Sequence, residues 1–105
     1  MSYSIRRVDK NQPSIVKAFR ASGFSVAITS AVSNGFPDLV VGINLGGKNG
    51  KFTSLVEIKD GSKPLSAQKL TPDEIKFRDS WSGNYHIIRS EEEVGLLLDS
   101  LMKEG

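Results

Sequence analysis

Residues 52–59 read Phe52-Thr53-Ser54-Leu55-Val56-Glu57-Ile58-Lys59, a run rich in β-formers that ends on a turn signal at Asp60-Gly61. Strand side chains alternate between faces, so Val56 and Ile58 point into apolar packing while Glu57 and Lys59 share the other side. Working outward, Leu39 to Ile43 is a second β-branched run. The turn Asn34-Gly35 and Pro37 precede it, and a Gly/Asn/Lys loop from Asn44 to Lys51 follows. Two strands joined in this way predict a hairpin. Asp38 opens the earlier strand, so hairpin pairing sets it beside Glu57 at one end of a sheet.

The flanking segments complete the pattern. Ile15, Val16 and Phe19 recur at helical spacing, with Pro13 suited to a first turn and Gly23 to a stop. Val26 and Ile28 alternate with small or polar residues from Ser25 to Ser30, which predicts a strand. Lys63 to Lys69 is polar, carries Pro64 and reads as a loop. Thr71-Pro72-Asp73-Glu74 predicts a helix opened by a capping box and running to about Trp81. Tyr85 to Arg89 predicts a fourth strand. Ser90 and Glu91-Glu92-Glu93 open a last helix with Val94, Leu97, Leu98 and Leu101 on one face. The order predicts an α/β domain, a mixed central sheet flanked by helices, with the Glu57 and Tyr85 strands parallel through a right-handed crossover.

The 105 residues suit one domain, residues 1–105. The absence of Cys excludes disulfides, zinc-thiolate sites and cysteine nucleophiles. No apolar run approaches the ~20 residues that span a bilayer, so the expectation is a cytoplasmic protein without a membrane partner. Charge is divided unevenly. Residues 1–70 carry ten Lys/Arg against four acids, and residues 71–105 carry four against eight. A basic part of this kind suits a polyanion, although an acidic tail also serves simply as a solvated helix face.

Two close carboxylates repel one another unless a cation intervenes. Asp38 and Glu57 side by side therefore suit a hard, oxygen-preferring ion such as Mg²⁺ or Mn²⁺. Lys59 on the same face could hold or deprotonate an attacking water, or neutralise charge growing on a phosphorane. This suits phosphodiester hydrolysis, where the substrate supplies further negative charges. The plain alternative is a turn-starting Asp38 and an exposed Glu57–Lys59 strand face.

Pro37-Asp38 followed by Glu57-Ile58-Lys59 resembles the motif of the PD-(D/E)XK nuclease superfamily, and most closely its VRR-NUC (virus-type replication-repair nuclease) group of short, stand-alone, phage-borne members. The resembling stretches are Asn11-Gln12, Gly35 to Gly42, Val56 to Gly61 and Leu70 to Glu74, within a span from about residue 9 to Ser90. The resemblance implies a restriction-endonuclease-like αβββαβ core and a Mg²⁺- or Mn²⁺-dependent DNA endonuclease. It also implies a homodimer acting on branched DNA such as four-way junctions, and, for a phage protein, residence in the host cytoplasm. A nucleic-acid-binding module without cleavage is the alternative on the same fold.

Carried onto this chain, the resemblance makes Asp38 and Glu57 metal ligands through their carboxylates and Ile58 a ligand through its carbonyl. Lys59 becomes the catalytic lysine. Gln12 stands where the superfamily often has Glu; being neutral it would bind a second cation poorly, which points to one metal. Asp9, the nearest acid, reads as a helix cap. Glu74 has two readings, a site-facing polar residue or the capping-box glutamate, and capping is preferred because one side chain is expected to serve one role. His86 reads as packing. Arg6, Arg7, Lys48, Lys51 and Lys63 are candidate phosphate contacts.

Overall fold

The computed structural model describes residues 8–48 and 50–104. Helix α1 (Gln12–Ala21) leads into strands β1 (Ser25–Ile28), β2 (Leu39–Asn44) and β3 (Lys51–Ile58). Helix α2 (Pro72–Ser80), strand β4 (Tyr85–Ile88) and helix α3 (Glu91–Glu104) complete the expected order. The segment read as a loop from Lys63 to Lys69 instead contains one 3₁₀ turn, Leu65–Gln68. Pro64 initiates it: the Pro64 carbonyl accepts from the Ala67 N–H at 2.9 Å.

The four strands lie in the order β1-β2-β3-β4, antiparallel for the first two pairings and parallel for β3 with β4. The β2–β3 register pairs Leu39 with Val56 and Val41 with Ser54. The same pleat carries Val56 and Ile58 into a core with Ile15, Val16 and Phe19 of α1 and Val94, Leu97 and Leu101 of α3. Those two helices cover one face of the sheet, and Glu57 belongs to the other. Ser90 and Glu93 tie the start of α3, Glu93 accepting the Arg89 N–H at 2.7 Å. No helix among the described residues is long and apolar enough to cross a membrane.

Helix α2 is held by different means. Its Thr71–Glu74 capping box closes at both ends, and Phe77 packs edge-on against Phe36 at 5.2 Å. Asn34 and Gly35 are consecutive left-handed residues, with φ of 65° and 80°. Glycine is required at the second, because a Cβ there would strike the Asp73 carbonyl and come within 2.8 Å of the Glu74 nitrogen. The turn before β2 thus seats the first turn of α2 directly on itself.

Asp9 does not cap α1. The N-cap is Asn11, whose side chain makes no capping bond; its amide is committed elsewhere, donating to the carbonyls of Lys59 at 3.1 Å and Arg89 at 3.0 Å. Asn11 therefore ties the start of α1 to the ends of β3 and β4.

Candidate active site

Continuing the Leu39–Val56 register by one pair sets Asp38 opposite Glu57. Both carboxylates are nearly sealed from solvent, Asp38 at 5% and Glu57 at 2% exposure. Asp38 is locked from two sides. Its Oδ2 accepts the Ile58 N–H at 2.8 Å, and its carbonyl accepts the Thr29 N–H at 2.8 Å. Lys59 lies just past the end of β3, with Nζ 3.8 Å from Glu57 Oε2 and 2.8 Å from Glu74 Oε1. The proposed trio is therefore brought together, and Glu74 joins it.

Glu74 performs both roles that were expected to exclude one another. Its Oε1 accepts from the Thr71 N–H at 2.9 Å and from Lys59 Nζ at 2.8 Å. A carboxylate oxygen can accept more than one bond, and Lys59 approaches from outside the helix turn that the cap occupies. Burial pushes the Glu74 carboxyl up, but the bonds from Lys59 and Thr71 outweigh it and leave the group below its ordinary value.

Glu57 behaves in the opposite way. Burial, then the charges of Asp38 and Glu74 and a hydrogen bond with Asp38, push it up from 4.5 to about 9, and the Lys59 charge offsets only part of this. At neutral pH it keeps its proton. Its Oε1 is buried and has no hydrogen-bond partner.

No family model, curated protein or solved structure matches the chain.

Gln12 reaches the same end of the sheet from α1. It is buried; its Nε2 donates to Ser30 Oγ at 2.7 Å, while its Oε1 is a second buried oxygen without a partner. Among the described residues no group of three or more His, Asp or Glu side chains is spaced to hold a metal ion. The donors that do converge, the carboxylates of Asp38 and Glu57 with Gln12 nearby, are hard oxygens of the type Mg²⁺ and Mn²⁺ prefer. Asp9 belongs to the rim: burial and the Asp38 charge push it up, while Lys59 and Lys63 draw it down.

The candidate phosphate contacts separate. Lys63 is close enough to act on Asp9. Lys51 opens β3 at the end away from Glu57, roughly 20 Å along the strand, and Lys48 precedes it in the hairpin loop. Arg6 and Arg7 lie outside the described residues. His86 sits on the α1/α3 face, 2.8 Å from Ser54 Oγ and beside the Phe52 ring, and burial lowers its pKa. It packs, and it faces away from Glu57.

Two participants went unnoticed in the sequence. Asn11 braces Lys59 through its carbonyl. Tyr85 pairs with Leu55, two residues before Glu57, and so shares the Glu57 face. Burial and the charges of Glu57 and Glu74 raise its pKa, and its hydroxyl is buried without a partner. Strand parity could have placed Tyr85; Asn11 lies in a resembling stretch, but nothing local in the sequence marks its bond to the Lys59 carbonyl.

Proposed function

We propose that the protein is a divalent-metal-dependent DNA endonuclease built on a restriction-endonuclease-like αβββαβ core of the VRR-NUC kind. The observation that carries this reading is the buried Asp38–Glu57 pair with Lys59 at one end of the sheet. Burying two carboxylates together is costly, and the arrangement is relieved either by a proton or by a cation. Glu57 takes the proton in isolation, and a cation would take its place.

Asp38, Glu57 and the Ile58 carbonyl are the residues that would hold Mg²⁺ or Mn²⁺, and the ion would polarise a phosphoryl oxygen and lower the pKa of a water. Lys59 Nζ, fixed by Glu74, stands where it can donate to that water or to a phosphate oxygen. Gln12 Oε1, buried and without a partner, is free to accept a hydrogen bond from a water. Lys63 and the basic residues of the amino-terminal part would meet the phosphates. A two-fold dimer would present two such sites to a branched duplex, and we place its work in the cytoplasm, that of the host if the protein is phage-borne.

A second reading is a DNA-binding module without cleavage, and the tight engagement of Lys59 by Glu74 favours it. A cleavage panel separates the two: single-stranded, duplex, flap and four-way DNA with Mg²⁺ or Mn²⁺, beside the Lys59→Ala variant. The nuclease reading expects metal-dependent cutting that falls by about 10²-fold or more in the variant. Metal-independent binding with no cutting would establish the second reading. Sedimentation of the protein with and without four-way DNA checks the dimer.

A further inference from the structure

Among the described residues, the buried side-chain atoms without a hydrogen-bond partner are Asn11 Oδ1, Gln12 Oε1, Glu57 Oε1 and Tyr85 Oη. Each has left water without a replacement, which is costly and uncommon in folded proteins. Two of them complement each other. Glu57 Oε1 can accept a hydrogen bond, and Tyr85 Oη carries a hydrogen to donate. The β3–β4 register sets Tyr85 beside Leu55 and Ile87 beside Glu57. Tyr85 and Glu57 are therefore diagonal neighbours on the sheet face that α1 and α3 leave free. Two residues advance ~6.6 Å along a strand and the strands lie ~4.8 Å apart, so the two backbone positions are ~8 Å apart. Two long side chains can close that gap.

The electrostatics of the phenol agree with this placement. After burial, the charge that acts on it most strongly is that of Glu57, followed by that of Glu74, and all three keep the hydroxyl protonated. Other donors near Glu57 are committed. Lys59 Nζ is 3.8 Å from Glu57 and gives its short bond, at 2.8 Å, to Glu74. Gln12 Nε2 donates to Ser30 Oγ. Glu74 is the poorer acceptor for the phenol, since its Oε1 already takes the Thr71 N–H and Lys59 Nζ. Carboxylates that hold a cation are themselves hydrogen-bonded, and that outer bond fixes their orientation.

We propose that Tyr85 is a positioning residue, its hydroxyl donating to the Glu57 carboxylate and orienting it towards a divalent cation. The inference rests on the metal-dependent reading of the Asp38–Glu57 pair and adds to it the group that aims one of its ligands. Tyr85 acts through Glu57 and touches neither the cation nor a phosphate.

Tyr85→Phe keeps the ring and removes only the hydroxyl. Wild type and variant are compared as whole proteins at one pH and salt, by Mn²⁺ titration calorimetry and by thermal melting in EDTA. The variant is expected to bind Mn²⁺ about tenfold or more weakly, the usual effect of removing a group that orients a metal ligand. In EDTA it should melt at the wild-type temperature or above it, because a buried hydroxyl without a partner contributes no bond that could be lost. A hydroxyl of purely structural value gives the reverse, a lower melting temperature and an unchanged Mn²⁺ affinity. Cleavage by the variant should recover when Mn²⁺ is raised by the same factor as the loss of affinity, since only occupancy is impaired. Equal Mn²⁺ affinity in the two proteins overturns the inference, whatever their melting temperatures. If both proteins then cut DNA alike, the nuclease reading stands without it. If the wild type binds no Mn²⁺, the two fall together.

Discussion

Replacing Glu57 by Gln removes a buried acid but keeps its shape, and the effect on stability has a sign that runs against common experience with acidic residues. Glu57 is pushed up from 4.5 to about 9 in the folded chain, so between those values the folded state holds a proton that the unfolded state has released. Stability from this group is complete below 4.5 and is lost as pH rises towards 9. Each pH unit in that window removes about 1.4 kcal/mol, so by pH 7 the loss approaches about 3 kcal/mol, a large part of the ~5–15 kcal/mol typical of a small domain. Asp9 adds to the trend, being raised as well, whereas Glu74, being lowered, opposes it at low pH. The difference between wild type and Glu57→Gln isolates the one group. Urea unfolding in EDTA at about pH 5, 6, 7 and 8 measures it, with constant m-values as the check on two-state behaviour. The wild type should lose stability relative to Glu57→Gln at each step, and the variant should be the more stable above neutrality. Parallel curves for the two proteins would refute the claim that Glu57 is protonated when folded.

Because a cation and a proton compete for the same carboxyl, Mn²⁺ binding should release close to one proton and tighten about tenfold per pH unit below 9; calorimetry in buffers of different ionisation enthalpy reads the proton count. Glu74→Gln keeps a residue able to close the capping box but removes the charge opposite Lys59. It should lower the melting temperature only slightly while lowering the cleavage rate, because Lys59 loses the carboxylate that holds it. Thr71→Ala should cost about 1 kcal/mol of stability by urea melts, with a smaller effect on the cleavage rate. Gly35→Ala places a Cβ against the Asp73 backbone at a φ of 80° and should destabilise by about 2 kcal/mol or more. A near-neutral result in urea melts would show that α2 can lift from the turn.

The fold was largely legible because its signals are local. Alternation from Phe52 to Lys59, the Thr71-Pro72-Asp73-Glu74 box and the Val94–Leu101 stripe each specify an element from neighbouring residues, and strand parity then puts Glu57 and Lys59 on one face. Boundaries moved by one residue at most ends and by two at the end of β1, which stops at Ile28. The 3₁₀ turn at Leu65–Gln68 escaped because a single turn has no periodicity to detect.

The sequence by itself determined which residues could form the site: Asp38 at a strand start, Glu57 and Lys59 two apart on a strand, and Gln12 at the head of a helix. Tertiary structure decided what those residues do to one another. The turn at Asn34-Gly35 and the capping box fix α2 where Glu74 meets Lys59, 15 residues away in the chain. Asn11 gave up capping its own helix to bridge two strand ends. The proton on Glu57 depends on burial and on charges from two other elements. Desolvation and Coulomb interactions act through space, and a linear pattern records only the spacing along the chain, so Asp38, Glu57, Lys59 and Gln12 could be read in advance, whereas the parts of Asn11 and Tyr85 and the electrostatics of the site could not.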